Sequence, residues 1–532
     1  MEPDLRSPLV LGGQPAEPGV VYLVGGGPGD PALLSLRAAQ LLRSATVVAY
    51  DRLAPADALR LCPDDARLIY VGKSPQGSAL SQDEINDLLV TEAQAGHAVV
   101  RLKGGDPFVL GRGSEEAQAC RAAAVDFEVV PGVTSAIAGP AYAGIPVTHR
   151  GLAPAFAVVT GHEDPAKDQT QVDYGALASF PGTLILLMGV ERLTDIAKAL
   201  VAAGRAGSTP AGVVQWASTP RQRSVVATLD SIAQRIADAG LSSPAVIVIG
   251  DVAALRSQLA WFEGPDDLTS PRRPLHGLRV LVPRTRHQAG ELSFRLRALG
   301  AEPVEAPTIA VEPTRQPNAL RQRLEQVAAG AFDWLGVTSV NGVAAVWEQV
   351  RALAGDARML AQVRIAAVGS GTADALRQHG LEPDLVPERY TTRGLADALI
   401  GGAGAGARIL LPRADIATPT LADLLGEAGW RVVEVEAYRT VPVAALDPQV
   451  ADELRAGGLS VVAFASSSTV RNMVELLGGP PHRSIRVVSI GPVTTRTCQD
   501  LGLRVDVEAD PHDIDGLVRA VVDAVTLRVG QV

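Results

Sequence analysis

Short hydrophobic runs alternate with amphipathic stretches along almost the whole chain. In the first half, VVYLVG, ATVVAYD and AVVRLKG are rich in β-branched residues, and each leads into apolar residues at helical spacing. This alternation predicts α/β architecture with buried strands. The pattern lapses after Phe262, where GPDDLTSPRRPLHG concentrates turn and charged residues without periodicity and predicts a linker. Beyond it, RVLVPRT, DWLGVTS and RIAAVGS resume the strand-then-helix rhythm. The boundaries expected from the pattern are a flexible tail at 1–19, a first domain at 20–262, a linker at 263–276 and a second domain at 277–527.

The second half repeats itself. RVLVPR at Arg279 returns as RILLPR at Arg408, and the same offset relates Gly300 to Gly429 and Val304 to Val433. Gly369, Thr372 and Gly380 likewise match Gly491, Thr494 and Gly502 at a second, slightly shorter offset. Two similar α/β lobes from an internal duplication are expected, with a ligand held between them.

Composition narrows the function classes. A chain of 532 residues with 47% hydrophobic and 20% charged positions is globular and too long for one core. Its formal charge of -10 argues against sequence-independent binding to nucleic acid or an anionic membrane. The uncharged stretch from Val129 to Thr148 is interrupted by Pro131, Pro140 and Pro146, so no membrane span is expected. Cys62, Cys120 and Cys498 are too dispersed for a disulfide framework or a metal knuckle, which predicts a cytoplasmic protein. No HxxxH zinc spacing occurs.

The glycine loops fail the usual nucleotide patterns. Gly25-Gly26-Gly27-Pro28-Gly29-Asp30 follows a strand, but a dinucleotide fingerprint needs glycine where Asp30 stands. Gly72-Lys73-Ser74 ends like a P-loop, whose first glycine is replaced by Arg67. Both loops also read as ordinary strand-to-helix turns. Lysine is rare, confined to Lys73, Lys103, Lys167 and Lys198 among many arginines. Lys offers a compact ammonium that can give up a proton, where Arg stays charged. The plainer reading of any one of them is a solvated surface lysine.

Together, VYLVGGGPGDPALLSLRAAQLL, VVAYDRL, GKSPQGSALSQDEINDLLV, VVRLKGGDPFVLGRGSEEA, EVVPGVTSAIAGPAYAGIPVTHR and VTGH, in this order, resemble the uroporphyrinogen-III C-methyltransferases of the tetrapyrrole methylase fold. Gly26, Leu110 and Ser114 depart from the usual Ala, Phe and Gly. The resemblance implies a two-subdomain α/β fold that transfers methyl groups from two molecules of S-adenosylmethionine to uroporphyrinogen III, giving precorrin-2 for siroheme or cobalamin. It implies cofactor binding by Pro28, Gly104, Gly105, Asp106, Val109, Thr134, Ser135, Met188 and Ala217. It implies Asp51 as proton acceptor and Lys73 as donor, with Arg112 and Glu115 as further acid-base or substrate-orienting residues. Read in isolation, Asp51 can cap a helix and Arg112 can pair with Glu116. A homodimer through this half is also implied.

The second half resembles uroporphyrinogen-III synthase through RVLVPRTR, FDWLGVTSVNGV, RIAAVGSGTADALRQHGLEPDLVPERYTTRGLADAL, RILLPRAD and EAYRTVP. That implies a two-lobed fold, one lobe built from the two ends of this half, which closes hydroxymethylbilane with inversion of the last ring, using no cofactor or metal. Ser339, Asn341, Ser370, Thr372, Arg413, Ser467 and Thr494 are the candidates for binding substrate carboxylates, and Tyr438 for supplying a proton. Each also reads as a helix cap or a satisfied core group. Two alternatives stand beside a bifunctional enzyme: a methylase of a later corrinoid, and a methylase whose second half is an inactive tetrapyrrole sensor.

Overall fold

The computed structural model describes residues 14–63, 65–72, 80–163, 171–263, 272–283, 286–402, 406–415, 417 and 419–526. The chain divides into two compact units, residues 1–278 with 296–302, and 279–295 with 303–532.

The first unit holds two five-stranded sheets. β1 (Val20–Gly25), β2 (Val47–Tyr50), β3 (Arg67–Tyr70), β4 (Val99–Lys103) and β5 (Asp126–Val130) are all parallel, in the order β3-β2-β4-β1-β5. The central strands β1 and β4 are buried almost throughout because helices cover both faces of such a sheet; β1 is apolar, while β4 carries Arg101 and Lys103 among its apolar residues. One of them, Gln82–Gln94, opens with a reciprocal capping box between Ser81 and Glu84. β6 (Phe156–Thr160), β7 (Thr183–Leu187), β8 (Pro210–Gln215), β9 (Arg223–Thr228) and β10 (Ala245–Ile249) form the second sheet, ordered β6-β7-β10-β8-β9, with only β6 and β7 parallel.

Two expectations need correction here. Residues 14–19 are not a loose tail: Ala16 is buried, its N–H donates to Ser44 Oγ at 2.7 Å, and Gly19 N–H donates to the His97 carbonyl at 2.9 Å. The linker is also tied at both ends. Glu263 accepts hydrogen bonds from Gln222 and Ser224, Arg273 lies over the Phe262 ring at 3.9 Å, and Leu275 is buried. Polar contacts at Glu263, a ring contact at Arg273 and the buried Leu275 fasten the described ends of this polar stretch, which a composition average conceals.

In the second unit the strands are β11 (Arg279–Val282), β12 (Glu302–Glu305), β13 (Ile309–Pro313), β14 (Trp334–Val337), β15 (Arg364–Ala367), β16 (Arg408–Ala414), β17 (Arg431–Pro442), β18 (Val461–Phe464), β19 (Arg486–Ser489) and β20 (Val507–Glu508). One sheet runs β12-β11-β18-β19-β20 and takes both ends of the unit; the other runs β13-β17-β16-β14-β15 and takes the middle. Matching β12 to β17, β11 to β16, β18 to β14 and β19 to β15 superposes the two orders. The repeat extends to hydrogen bonds. Ile365 N–H donates to Asp384 at 2.7 Å and Val487 N–H to Asp506 at 2.9 Å, at the start of equivalent strands. Gly380 and Gly502 end equivalent helices with φ of 75° and 78°, a conformation that favours glycine.

Candidate functional site

Three loops meet at the carboxyl edge of the first parallel sheet, where open α/β sheets bind ligands. Gly26 N–H donates to the Lys103 carbonyl at 2.7 Å, and Gly27 and Gly105 exchange backbone hydrogen bonds of 3.2 and 2.7 Å. A Cβ on Gly25 would lie 2.5 Å from Gly132 N, so the loops after β1, β4 and β5 touch backbone to backbone and only glycine fits. Asp106 fastens this meeting point, its carboxylate accepting the N–H of Phe108 at 2.8 Å and of Gly132 at 3.0 Å. Thr134 caps the helix Ser135–Tyr142, and its hydroxyl accepts from Ala136 N–H at 3.3 Å.

The second sheet contributes the loops after β7 and β8. Met188 is half exposed with φ of 61°, and Trp216 and Ser218 on either side of Ala217 have φ of 48° and 63°. Leu110 and Arg112 in the loop after β4 share this left-handed conformation. Non-glycine residues adopt it uncommonly, and here five of them gather on these loops of the two sheets, a concentration that points to a constrained site. Ser218 Oγ accepts Asp30 N–H at 3.1 Å, Tyr142 O–H donates to the Asp30 carboxylate at 2.8 Å, and a Cβ on Gly29 would sit 3.3 Å from the Ala217 carbonyl. Burial and the neighbouring Asp30 carboxylate both push the Tyr142 phenol up, so it stays a proton-bearing donor. Asp30, which breaks the dinucleotide fingerprint, thus ties the Pro28 loop to the Ala217 loop.

Beneath these loops lies a charged cluster that joins Asp51 and Lys103 to Arg101 and Glu116, a grouping that sequence reading missed. Arg101 and Lys103 alternate along β4 and point to one side, and both are buried. Arg101 donates from Nε to Glu116 at 3.1 Å and from Nη2 to Asp51 at 3.1 Å; Lys103 donates to the same Glu116 oxygen at 2.8 Å. Glu116 is fully buried in the first turn of helix Gly113–Ala122. Burial and the adjacent Arg101 push the Lys103 ammonium below its ordinary range, while Glu116 pulls it back up. Lys103 is therefore not a solvated surface lysine. The signal was available: two cations two residues apart inside an apolar parallel strand need buried partners.

Arg112 pairs with Glu115, not with Glu116, through two hydrogen bonds of 2.9 and 2.8 Å at the exposed rim. Those bonds hold the Glu115 carboxyl below the usual carboxylate range. Consecutive glutamates thus face opposite ways, one to the rim and one to the core. Asp51, at the end of β2, is partly exposed, and its other carboxylate oxygen accepts Leu53 N–H at 3.1 Å. Lys73 lies outside the described residues.

In the second unit the candidate residues stand at helix starts following strands. Ser339 caps the helix Val340–Ala352, accepting Gly342 N–H at 3.0 Å, and its hydroxyl meets the Tyr438 hydroxyl at 2.9 Å. Arg413, buried, is ion-paired with Glu434. Thr372 and Thr494 are buried in the first turns of the helices Ser370–Gln378 and Pro492–Asp500, whereas Ser370 is exposed and Asn341 half-buried. Ser467 O–H donates to the Val493 carbonyl at 3.2 Å, joining the starts of two helices, while Ser466 is the actual cap. The structure therefore joins Ser339 to Tyr438 in one lobe and Ser467 to the Thr494 helix in the other.

Known proteins match both units. The family of tetrapyrrole (corrin/porphyrin) methylases matches residues 20–233, and that of uroporphyrinogen-III synthase matches residues 290–519. The porphyrin biosynthesis protein HemD of Ruminiclostridium josui is 36% identical over 502 residues, 94% of this chain and 97% of that protein. An S-adenosyl-L-methionine-dependent uroporphyrinogen III methyltransferase of Methanosarcina barkeri is 48% identical over 241 residues, 45% of this chain and 94% of that protein. A crystal structure of uroporphyrin-III C-methyl transferase from Thermus thermophilus, complexed with S-adenyl homocysteine, is 44% identical, covers 44% of this chain and 99% of that chain, and gives a TM-score of 0.39.

Proposed function

Because the chain belongs to both the tetrapyrrole methylase and the uroporphyrinogen-III synthase families, as a fusion of the two, we propose that it catalyses two consecutive steps, closing hydroxymethylbilane to uroporphyrinogen III and methylating that product twice to precorrin-2. The observation that carries this reading is the pairing of the two matches in one chain, since the product of one unit is then the substrate of the other.

The first unit fits S-adenosylmethionine. Its glycine loops pack backbone against backbone where only glycine fits, and Gly104, Gly105, Asp106, Thr134 and Ala217 stand on loops that hydrogen bonds and close contacts bring together at the carboxyl edge of the sheet. When bound, the cofactor supplies an electrophilic methyl carbon on a sulfonium. The chain's task is then to hold the pyrrole carbon in line with that carbon, a matter of position more than of chemistry. Asp51, partly exposed at the strand end, accepts the proton that the methylated ring must lose, and Lys73 returns one. Arg112 and Glu115 at the rim orient the substrate. In the second unit, hydroxyls and backbone N–H groups at helix starts bind the carboxylates of the folded bilane, with Tyr438, held by Ser339, as proton source. The protein works as a homodimer in the cytoplasm, with no nucleic-acid or membrane partner, and delivers precorrin-2 to siroheme or cobalamin.

Two assays on the full chain test this. Supplied uroporphyrinogen III with S-adenosylmethionine should gain two methyl groups. Hydroxymethylbilane alone should give the type III isomer, because uncatalysed closure gives type I. Type I product from a chain that still methylates would reassign the second unit as a sensor.

A further inference from the structure

We propose that Arg101 is a positioning residue for methyl transfer: its guanidinium holds the Asp51 carboxylate in place against the buried anchor of Glu116. The inference rests on the reading of Asp51 as proton acceptor. A guanidinium in a central parallel strand gives up hydration that an apolar residue would never need, and a buried ion pair is weak evidence for a stability role. Its four directed contacts show what it does instead. Nε reaches Glu116 at 3.1 Å and Nη2 reaches Asp51 Oδ2 at 3.1 Å, while Nη1 donates to the carbonyls of Leu102 at 3.0 Å and Ala49 at 3.5 Å. The side chain therefore has little freedom to rotate, and it transmits that rigidity to a carboxylate at the surface. Asp51 is pinned at both oxygens, Oδ1 by Leu53 N–H and Oδ2 by Arg101, each keeping a lone pair for a proton.

The anchor is equally built. Glu116 Oε1 receives Arg101, Lys103 and, at 3.4 Å, Gln82. Two cations and two carboxylates alternate as Asp51, Arg101, Glu116 and Lys103, so the cluster is neutral and only its Asp51 end reaches solvent. Lysine cannot replace Arg101 here. A single ammonium on a flexible stem lacks the planar fork that addresses Glu116, Asp51 and two carbonyls at once.

Arg101→Lys, which keeps the charge, tests the proposal in the full chain with uroporphyrinogen III and S-adenosylmethionine. With kcat expressed per cofactor site titrated by calorimetry, we expect kcat to fall about 10- to 100-fold while KM and cofactor affinity stay within about twofold, the signature of a displaced reacting group. Loss of fold alone would lower the number of titratable sites and leave kcat per site unchanged. Asp51→Asn is measured alongside. If it is inactive while Arg101→Lys turns over at the full rate, the positioning role is overturned and the base reading survives. If Asp51→Asn is itself fully active, the base reading fails and takes this inference with it. Should Arg101→Lys not fold, Glu116→Gln replaces it, because it weakens the anchor while keeping its shape; the same kcat loss at constant KM is expected, and an unchanged kcat overturns the proposal.

Discussion

The two units place their polar chemistry in opposite ways. In the first, backbone contacts bring three glycine loops to one point and a neutral cluster of four charges lies directly beneath it. In the second, hydroxyls and N–H groups stand one by one at helix starts on two repeated lobes, and the buried Arg413 and the Tyr438–Ser339 pair are the densest polar contacts among the candidates. The difference follows from what each reaction asks. Methyl transfer needs one donor, one acceptor and one base aligned within a fraction of an ångström, so rigidity is concentrated. Cyclisation of a flexible polyanion needs many weak contacts and shelter for a cation, so on the proposed reading binding is spread out.

If that contrast holds, single substitutions should hurt the first unit far more than the second. Asp51→Asn should show the largest effect, lowering methylation about 10²- to 10⁴-fold, as loss of a general base does, with cyclisation of hydroxymethylbilane unchanged in the same sample. Asp106→Ala comes next. It removes two hydrogen bonds from a charged acceptor, each worth about 1.5–3 kcal/mol, and should weaken S-adenosylmethionine binding about 100-fold by calorimetry. Lys73→Arg should spare that binding and slow methylation about tenfold, because Arg keeps the charge and withholds the proton. Tyr438→Phe should slow cyclisation only a few-fold to about tenfold, the worth of one hydrogen bond among several, measured as type III product per minute. A 10³-fold loss there would erase the contrast.

The smallest effect concerns the repeat. Hydrogen bonds from Arg408 hold the Asp333 carboxyl down at about 2. Its folded value lies below the unfolded one of about 3.9, so the pair stabilises fully above that pH and its contribution is lost as pH falls through about 2. The pair is solvent-exposed and screened, so Asp333→Asn should lower stability by no more than about 1 kcal/mol at pH 7, with the difference vanishing at low pH. Chemical denaturation at the two pH values measures it.

Strand runs such as VVRLKG and RILLPR revealed the α/β layers, because a parallel strand buried on both faces cannot hide its apolar residues. The duplication was legible as well, since Gly380 and Gly502 recur at matching positions and hold the positive φ that favours glycine after a helix end. The crossing of the repeats was not legible in periodicity: RVLVPR and RILLPR mark equivalent strands, yet each lobe completes its sheet with strands from the other copy's stretch of chain, an arrangement that only the resemblance to the synthase implied. At the site, the motif residues around Gly104 and Asp106 stood out by type. Arg101 and Glu116 did not, because a charge in sequence reads as surface until its partner is known. The tie of Asp30 to Ser218 and Tyr142 joins residues far apart in the chain, which spacing cannot reveal.

One reaction tests the central claim most directly: the purified full chain given hydroxymethylbilane, with and without S-adenosylmethionine, and its products separated by isomer and mass. The account predicts type III uroporphyrinogen without the methyl donor and a dimethylated type III product with it. Type I uroporphyrinogen under both conditions, from a chain that methylates added uroporphyrinogen III, would contradict it.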